Sequence, residues 1–260
     1  MNIESFKEKM GEEWAELFKP FIESSKMDDI YTKIRNDSKK NVIYPNSNDT
    51  FKAFKLIKPE NVKVIIISQE PYSGQYYKSK LPQATGIPLD SSNSDNDKLQ
   101  PSLEAFLQGI AAEYNLPYEE YYKTLSLSYL AEQGVLLLNR SLTVSKGKIG
   151  SHLGYWDEFF KYFFEEILTK YINIPVLILG KDAEYVKRWI FEMTHPIYIL
   201  PHPSFAARTG ELWDTNGIFD KITNYVRQER NFVINWSNKL YEQKKNGEID
   251  RMISDHFLPF

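Results

Sequence analysis

Four short segments of this chain carry the side chains best suited to chemistry. They are Ser68-Gln69-Glu70-Pro71-Tyr72, Asn139-Arg140-Ser141, Gly180-Lys181-Asp182 and Pro201-His202-Pro203-Ser204. Together they supply a carboxylate at Glu70, a carboxamide at Asn139, an imidazole at His202 and several hydroxyls. A carboxylate can stabilise positive charge and orient water, and a neutral imidazole can donate to a developing anion. The chain has no cysteine, so disulfides, thiolate metal sites and a cysteine nucleophile are excluded. Its four histidines stand in unrelated contexts, which argues against a zinc cage, and no metal or cofactor is assigned.

Each of the four segments follows a short apolar run: Val62 to Ile67, Val135 to Leu138, Pro175 to Leu179 and Pro196 to Leu200. These runs are rich in Val, Ile and Leu, lack polar alternation and end in turn residues, as strands buried on both faces of a parallel sheet do. Helical patterns separate them at Leu103 to Tyr114, Trp156 to Ile167 and Ala183 to Phe191. The alternation predicts an α/β fold, a three-layer α/β/α sandwich around a central four-stranded, mainly parallel sheet. In such sheets the ligand crevice lies beyond the carboxyl ends of the strands, where the polar segments fall.

Phe6, Met10, Trp14, Leu17, Phe18, Phe21 and Ile22 are spaced as one helical face, so residues 1–40 read as a helical N-terminal segment of a single domain spanning 1–236. Residues 237–260 read as a charged helix or tail whose apolar end (Met252, Ile253, Phe257, Leu258, Phe260) could dock on the body or on a partner. The 260 residues carry a net charge of −3, which does not advertise nucleic-acid binding but leaves room for a local basic surface. No apolar run approaches the ~20 residues of a membrane span. The expectation is a cytoplasmic, intracellular protein.

Ordered along the chain, the motifs resemble family-1 uracil-DNA glycosylases. Val62 to Ile67 leading into Gln69-Glu70-Pro71-Tyr72-Ser73-Gly74 is similar to that family's strand and water-activating loop, normally Gly-Gln-Asp-Pro-Tyr-His-Gly. Gly134 to Asn139 followed by Leu142-Thr143-Val144 resembles its uracil-reading strand, and Ser151-His152 with Trp156 its Ser-His segment. Pro101-Ser102-Leu103 looks like the end of its proline-rich DNA loop, and His202-Pro203-Ser204 like the start of its minor-groove loop. The likeness runs from about Ile43 to about Val226. The spacing from Gly86 to Pro101, and the ending Val233-Ile234-Asn235-Trp236, also look like the poxvirus branch.

The resemblance implies an enzyme that flips uracil out of single- or double-stranded DNA and hydrolyses its N-glycosidic bond in base-excision repair. It implies Glu70 and His202 as the catalytic pair: the carboxylate near C1′, the neutral imidazole donating to uracil O2. Asn139 would pair with N3–H and O4, Tyr72 would exclude the thymine methyl, and amides around Gln69 would hold the carbonyls. Pro101, Ser102, Ser151, His152, Ser204, Phe205 and Arg208 would contact DNA, His152 as a structural or DNA-facing group rather than a catalytic one. A proteinaceous glycosylase inhibitor or a replication partner is implied as well.

Four departures from the family pattern bear most directly on the chemistry and the DNA contacts. Glu70 stands for aspartate, Leu89 for the uracil-stacking phenylalanine, and Ser73 for a histidine. The wedge leucine falls at Ala206, too small to fill the gap left by a flipped base, which leaves Phe205 or Arg208 for that role. Tyr76 and Tyr77 either face DNA or pack. Arg140, Lys146 and Lys148 either meet phosphates or form a solvated basic loop, and His195 and His256 read as surface residues. Two alternatives accompany the uracil glycosylase: a glycosylase for a modified pyrimidine of phage DNA, and a catalytically weak relative serving as a DNA-binding or replication scaffold.

Overall fold

The computed structural model describes residues 2–248. Three helices open the chain, α1 (Ile3–Met10), α2 (Glu12–Ile22) and α3 (Ser25–Ser38). A short strand, β1 (Ile43–Tyr44), and one helical turn, α4 (Lys52–Lys55), then lead to β2 (Val64–Ser68). After a long loop come α5 (Pro101–Glu113), β3 (Val135–Asn139), β4 (Val144–Ser145), β5 (Val176–Leu179) and β6 (Ile197–Leu200). The main sheet has the order β3-β2-β5-β6 with every neighbouring pair parallel, as the α/β pattern requires, while β1 and β4 pair antiparallel beside it.

Strand periodicity explains why the central runs lack polar residues. Ile65, Ile67, Leu136, Leu138, Val176 and Ile178 face one layer, and Val64, Ile66, Val135, Leu137, Leu177 and Leu179 face the other. The first layer includes the three N-terminal helices, whose Trp14 and Phe18 meet Phe54, Phe159 and Phe163. Phe18 and Phe159 stack at 4.4 Å, a kind of pairing worth about 0.5–1.5 kcal/mol beyond its buried area. The second layer holds α5, the helix Ile218–Arg230 and Trp236.

Several expectations need correction. The run into β6 reads as buried on both faces, but β6, one of the two edge strands, is only partly covered and Ile199 is exposed, whereas the other edge strand, β3, is buried throughout. Residues 183–189 form tight 3₁₀ turns rather than an α-helix, and the helix Asp157–Tyr162 widens into a π-helical stretch over Phe163–Ile167. His195 is buried, its Nδ1 bonded to the Ile174 carbonyl, because the turn before β6 folds under the sheet edge. His256 and the apolar end of the tail lie outside the described residues. The charged segment before them includes a helix, Asn238–Lys245, which the Ser237 hydroxyl caps and Lys239 and Lys245 pair to Glu120 and Glu132. Among the described residues no helix is long and apolar enough to cross a membrane.

Candidate active site

Register brings the first two polar groups together. The β2–β3 ladder aligns Val64 with Val135 and ends with Ser68 beside Asn139, so both side chains leave the sheet at the same level. They lie on the floor of a cleft of about 380 Å³ that Glu70, Tyr72, Leu89, Ser102 and His202 also line. That volume suits one small planar ligand. Among the described residues no group of three or more His, Cys, Asp or Glu side chains is placed to hold a metal ion.

Asn139 is buried, and among the described residues its Oδ1 has no hydrogen-bond partner. A buried acceptor left unmade costs about 1–3 kcal/mol, so the floor is poised for a donor. Tyr72 donates its hydroxyl to the Leu89 carbonyl (3.1 Å), which fixes the ring against the wall, and burial pushes that phenol well up. Leu89 itself has a left-handed backbone (φ 64°), uncommon for a residue with a Cβ, and its side chain is buried.

Glu70 lies in the loop after β2. Both its carboxylate oxygens accept from the Gly150 amide (2.8 and 2.9 Å), and the Gln69 carboxamide donates to Oε1 (3.3 Å). Burial pushes this carboxyl above the ordinary range; the Gly150 amide opposes the shift and the nearby Asp182 charge adds to it.

His202 caps the helix Pro203–Thr209. Its Nδ1 accepts from the Ser204 amide (3.1 Å), which places the ring proton on Nε2, 3.0 Å from Ser68 Oγ. Burial, helped by the Arg208 charge and opposed by Asp182, lowers its pKa to about 4, so the imidazole is neutral at physiological pH. Gly180 makes this packing possible: a Cβ there would come within 2.8 Å of the His202 Cβ, and its φ of 88° also favours glycine.

The DNA-facing assignments divide. Ser102 and Ser204 line the cleft, Pro101 is exposed at the first turn of α5, and Phe205 and Arg208 project from the 203–209 helix. Ala206, by contrast, is buried inside that helix. His152 cannot touch DNA because it is fully buried. Trp156 donates to Thr143, Thr143 bonds the His152 Nδ1 (2.8 Å), and His152 Nε2 reaches Asp37 at the end of α3 (3.0 Å). Ser151 accepts from the Ser145 amide (2.9 Å) and closes the loop that presents Gly150. The Ser145 hydroxyl bond, then His152, hold Asp37 down at about 2.

Arg140 is an internal strut, bonded to the Asp182 carbonyl and Asp157 and stacked on Tyr185, whereas Lys146 and Lys148 stay on the exposed loop. Tyr76 packs inward and Tyr77 is exposed. Gly150 and Ile149 are not singled out by the sequence, and Ser68 and Gly180 stand there only within the polar segments, with no role of their own. Only the turn signal of the glycines was there to be read, since their partners lie up to 80 residues away.

A parallel α/β sheet here carries a carboxylate, an unsatisfied carboxamide and a neutral imidazole around one cleft at its carboxyl edge, a set suited to binding a small polar ligand. Comparison with known proteins gives the family. Residues 54–227 match the uracil DNA glycosylase superfamily, and the chain belongs to it. It is 31% identical over 224 residues to the uracil-DNA glycosylase of Idiomarina loihiensis (86% of this chain, 99% of that one). It is 33% identical over 228 residues to that of Mycoplasmopsis pulmonis (85% and 96%). The fold is shared with the solved mimivirus uracil-DNA glycosylase, at a TM-score of 0.73 and 18% identity over 86% of each chain.

Proposed function

We propose that this protein is a monofunctional uracil-DNA glycosylase that hydrolyses the N-glycosidic bond of a uracil flipped out of DNA and leaves an abasic site. The observation that carries this is the orphaned Oδ1 of Asn139, buried in a cleft between Glu70 and His202. Uracil N3–H supplies the missing donor while the Asn139 amide donates to O4. Cytosine presents an acceptor at N3 and leaves the floor unsatisfied. A site built to hydrogen-bond one partner rejects an analogue lacking that group strongly.

Cleavage of C1′–N1 leaves the bonding pair on the base, while a water oxygen bonds to C1′. Glu70 stabilises the positive sugar, orients that water and accepts one of its protons, which then passes to the departed base through solvent. His202 donates its Nε2–H to O2, where negative charge collects, and transfers no proton. Tyr72 lies against C5 and excludes a methyl, and amides about Gln69 receive the carbonyls. Pro101, Ser102, Ser151 and Ser204 hold backbone phosphates, with Phe205 or Arg208 entering the gap left in the duplex.

On this reading one domain spans residues 1–236, and the protein acts in the cytoplasm at the nucleoid or a replication site. A proteinaceous inhibitor is a further partner, in line with the fold similarity to a mimivirus protein solved in complex with UGI.

The test uses oligonucleotides, single- and double-stranded, with one uracil, thymine or 5-modified uracil, followed by alkali. Strand breaks are expected at uracil alone, and Asn139→Asp is expected to change which base is accepted. No break at uracil with stoichiometric protein would overturn the function, and breaks only at the modified base would reassign the substrate.

A further inference from the structure

The family pattern has glycine immediately before Gln69, where this chain has Ser68. The side chain is buried at the end of β2 and lines the cleft floor. Its Oγ lies 3.0 Å from His202 Nε2. Because the Ser204 amide occupies Nδ1, the ring proton is on Nε2 and is donated to Ser68. Among the described residues, no other hydrogen bond to Ser68 Oγ is formed, so the hydroxyl keeps its own proton to donate. A hydroxyl that accepts from one donor becomes a better donor itself, because hydrogen bonds in a chain polarise one another.

We propose that Ser68 passes the His202 hydrogen bond on to the departing base, its hydroxyl polarised by Nε2–H and its own proton directed at the oxygen on which negative charge collects. The assignment rests on the glycosylase function proposed above, and in it Ser68, not the imidazole itself, makes the contact to O2 given to His202 there. The imidazole and the hydroxyl then act as a two-link chain. Neither gives up its proton. The base leaves as an anion with the electron pair of C1′–N1, and both hydrogen bonds shorten as that charge grows. This arrangement offsets a specific difficulty of this chain. The Ser68 hydroxyl already holds the Nε2 proton, so an imidazole acting alone would have to break that bond before donating to the base.

The full chain is assayed under single-turnover conditions on a uracil oligonucleotide, as wild type, Ser68→Ala and Ser68→Thr. Loss of one fixed donor to a developing anion typically lowers the rate ~100-fold or more. Ser68→Ala is therefore expected to lose ~100-fold in the cleavage step with DNA affinity nearly unchanged. Ser68→Thr, which keeps the hydroxyl, is expected to recover most of that loss. A Ser68→Ala rate equal to or above wild type overturns the proposal, since the hydroxyl would then only occupy the imidazole while the cleft is empty.

A nitrogen-15 spectrum of the histidines supplies a readout independent of activity. His202 is expected with its proton on Nε2, and that resonance is expected to shift in Ser68→Ala. A proton on Nδ1 overturns the proposal even if both variants fail to fold. A wild type that excises no uracil rejects the glycosylase function itself, and the donor role with it. An active wild type matched by Ser68→Ala rejects the donor role alone.

Discussion

The floor of the cleft and its rim are built by different means. On the floor, strand register aligns Ser68 with Asn139, and hydrogen bonds on both ring nitrogens hold His202. On the segments that lead away from it, taken together as the rim, Tyr77, Ile149 and Phe205 are 85%, 80% and 55% exposed, on a hairpin, a loop and a short helix, and of the three Ile149 lines the cleft. Groups on the floor are fixed before any ligand arrives, which is what stabilisation of a developing charge requires. Rim groups are free to adapt to a flexible polymer. Changes on the floor should therefore appear in the rate of bond cleavage, and changes on the rim in binding.

Glu70 gives the largest test, since its carboxylate belongs to the floor although its loop leads to the rim. Glu70→Gln keeps an oxygen to accept from Gly150 but removes the charge proposed to stand beside C1′. A cleavage rate lower by ~10²–10⁴-fold is expected, within the range assigned to positioned proton-transfer and charge-stabilising groups, with DNA binding retained. Rapid-quench single-turnover assays measure it. An unchanged rate would misplace the carboxylate altogether.

The same pair of proteins carries a pH prediction. Burial raises the Glu70 carboxyl, so its ionised, active form is lost as pH falls through a value above the usual 4.5. His202 titrates only at about 4 and stays neutral across that interval. The acid limb of wild-type cleavage is thus set by Glu70, and the residual activity of Glu70→Gln should lose that limb and fall only near pH 4. A limb at the same pH in both proteins would assign it to another group.

How much of this was legible in the sequence follows the same division. Val62 to Ile67 and Val135 to Leu138 announce themselves as strands of a covered sheet because both faces are buried, and polar residues just after such strands must lie at one edge of the sheet. Glu70, Asn139 and His202 could be placed from that rule alone. His152 could not: a Ser-His dipeptide looks the same whether it faces solvent or, as here, bonds Asp37 at a distance of 115 residues. Arg140 misled in the same way, because a cation after a strand end serves equally as phosphate ligand or as strut to Asp157. Ser68 could be placed at that edge but not given a role, since its meaning depends on where the ring of His202 falls. Pairings between remote segments decide these cases, and one-dimensional spacing does not encode them.

Asp37→Ala is a smaller test, aimed at what holds the Gly150 loop. It leaves the His152 Nε2 and the Ser145 hydroxyl without their acceptor in a buried setting, a loss of about 1–3 kcal/mol. Urea titration should show that destabilisation while the cleavage rate changes only a few-fold. The Asp37 carboxyl is held down at about 2, so its contribution is complete above the ordinary carboxylate pKa and is lost as pH falls from about 4 towards 2. The gap in stability between wild type and Asp37→Ala should close over that interval. A rate that collapsed without loss of stability would mean that the N-terminal helices serve the floor directly.

Phe205 carries the smallest effect and the sharpest distinction. It is exposed at the start of the 203–209 helix, beside the buried Ala206 that cannot act as a wedge. Base–aromatic stacking is worth about 1–3 kcal/mol when fully formed, and a ring reaching a gapped duplex realises a part of that. Phe205→Ala should weaken binding to double-stranded uracil DNA by several-fold. It should leave single-stranded cleavage within about twofold, because no duplex then has to be held open. Parallel titrations of the two substrates check this. Equal losses on both would mean that Phe205 shapes the cleft rather than the duplex, and the separation of floor from rim would have to be redrawn at the His202 helix.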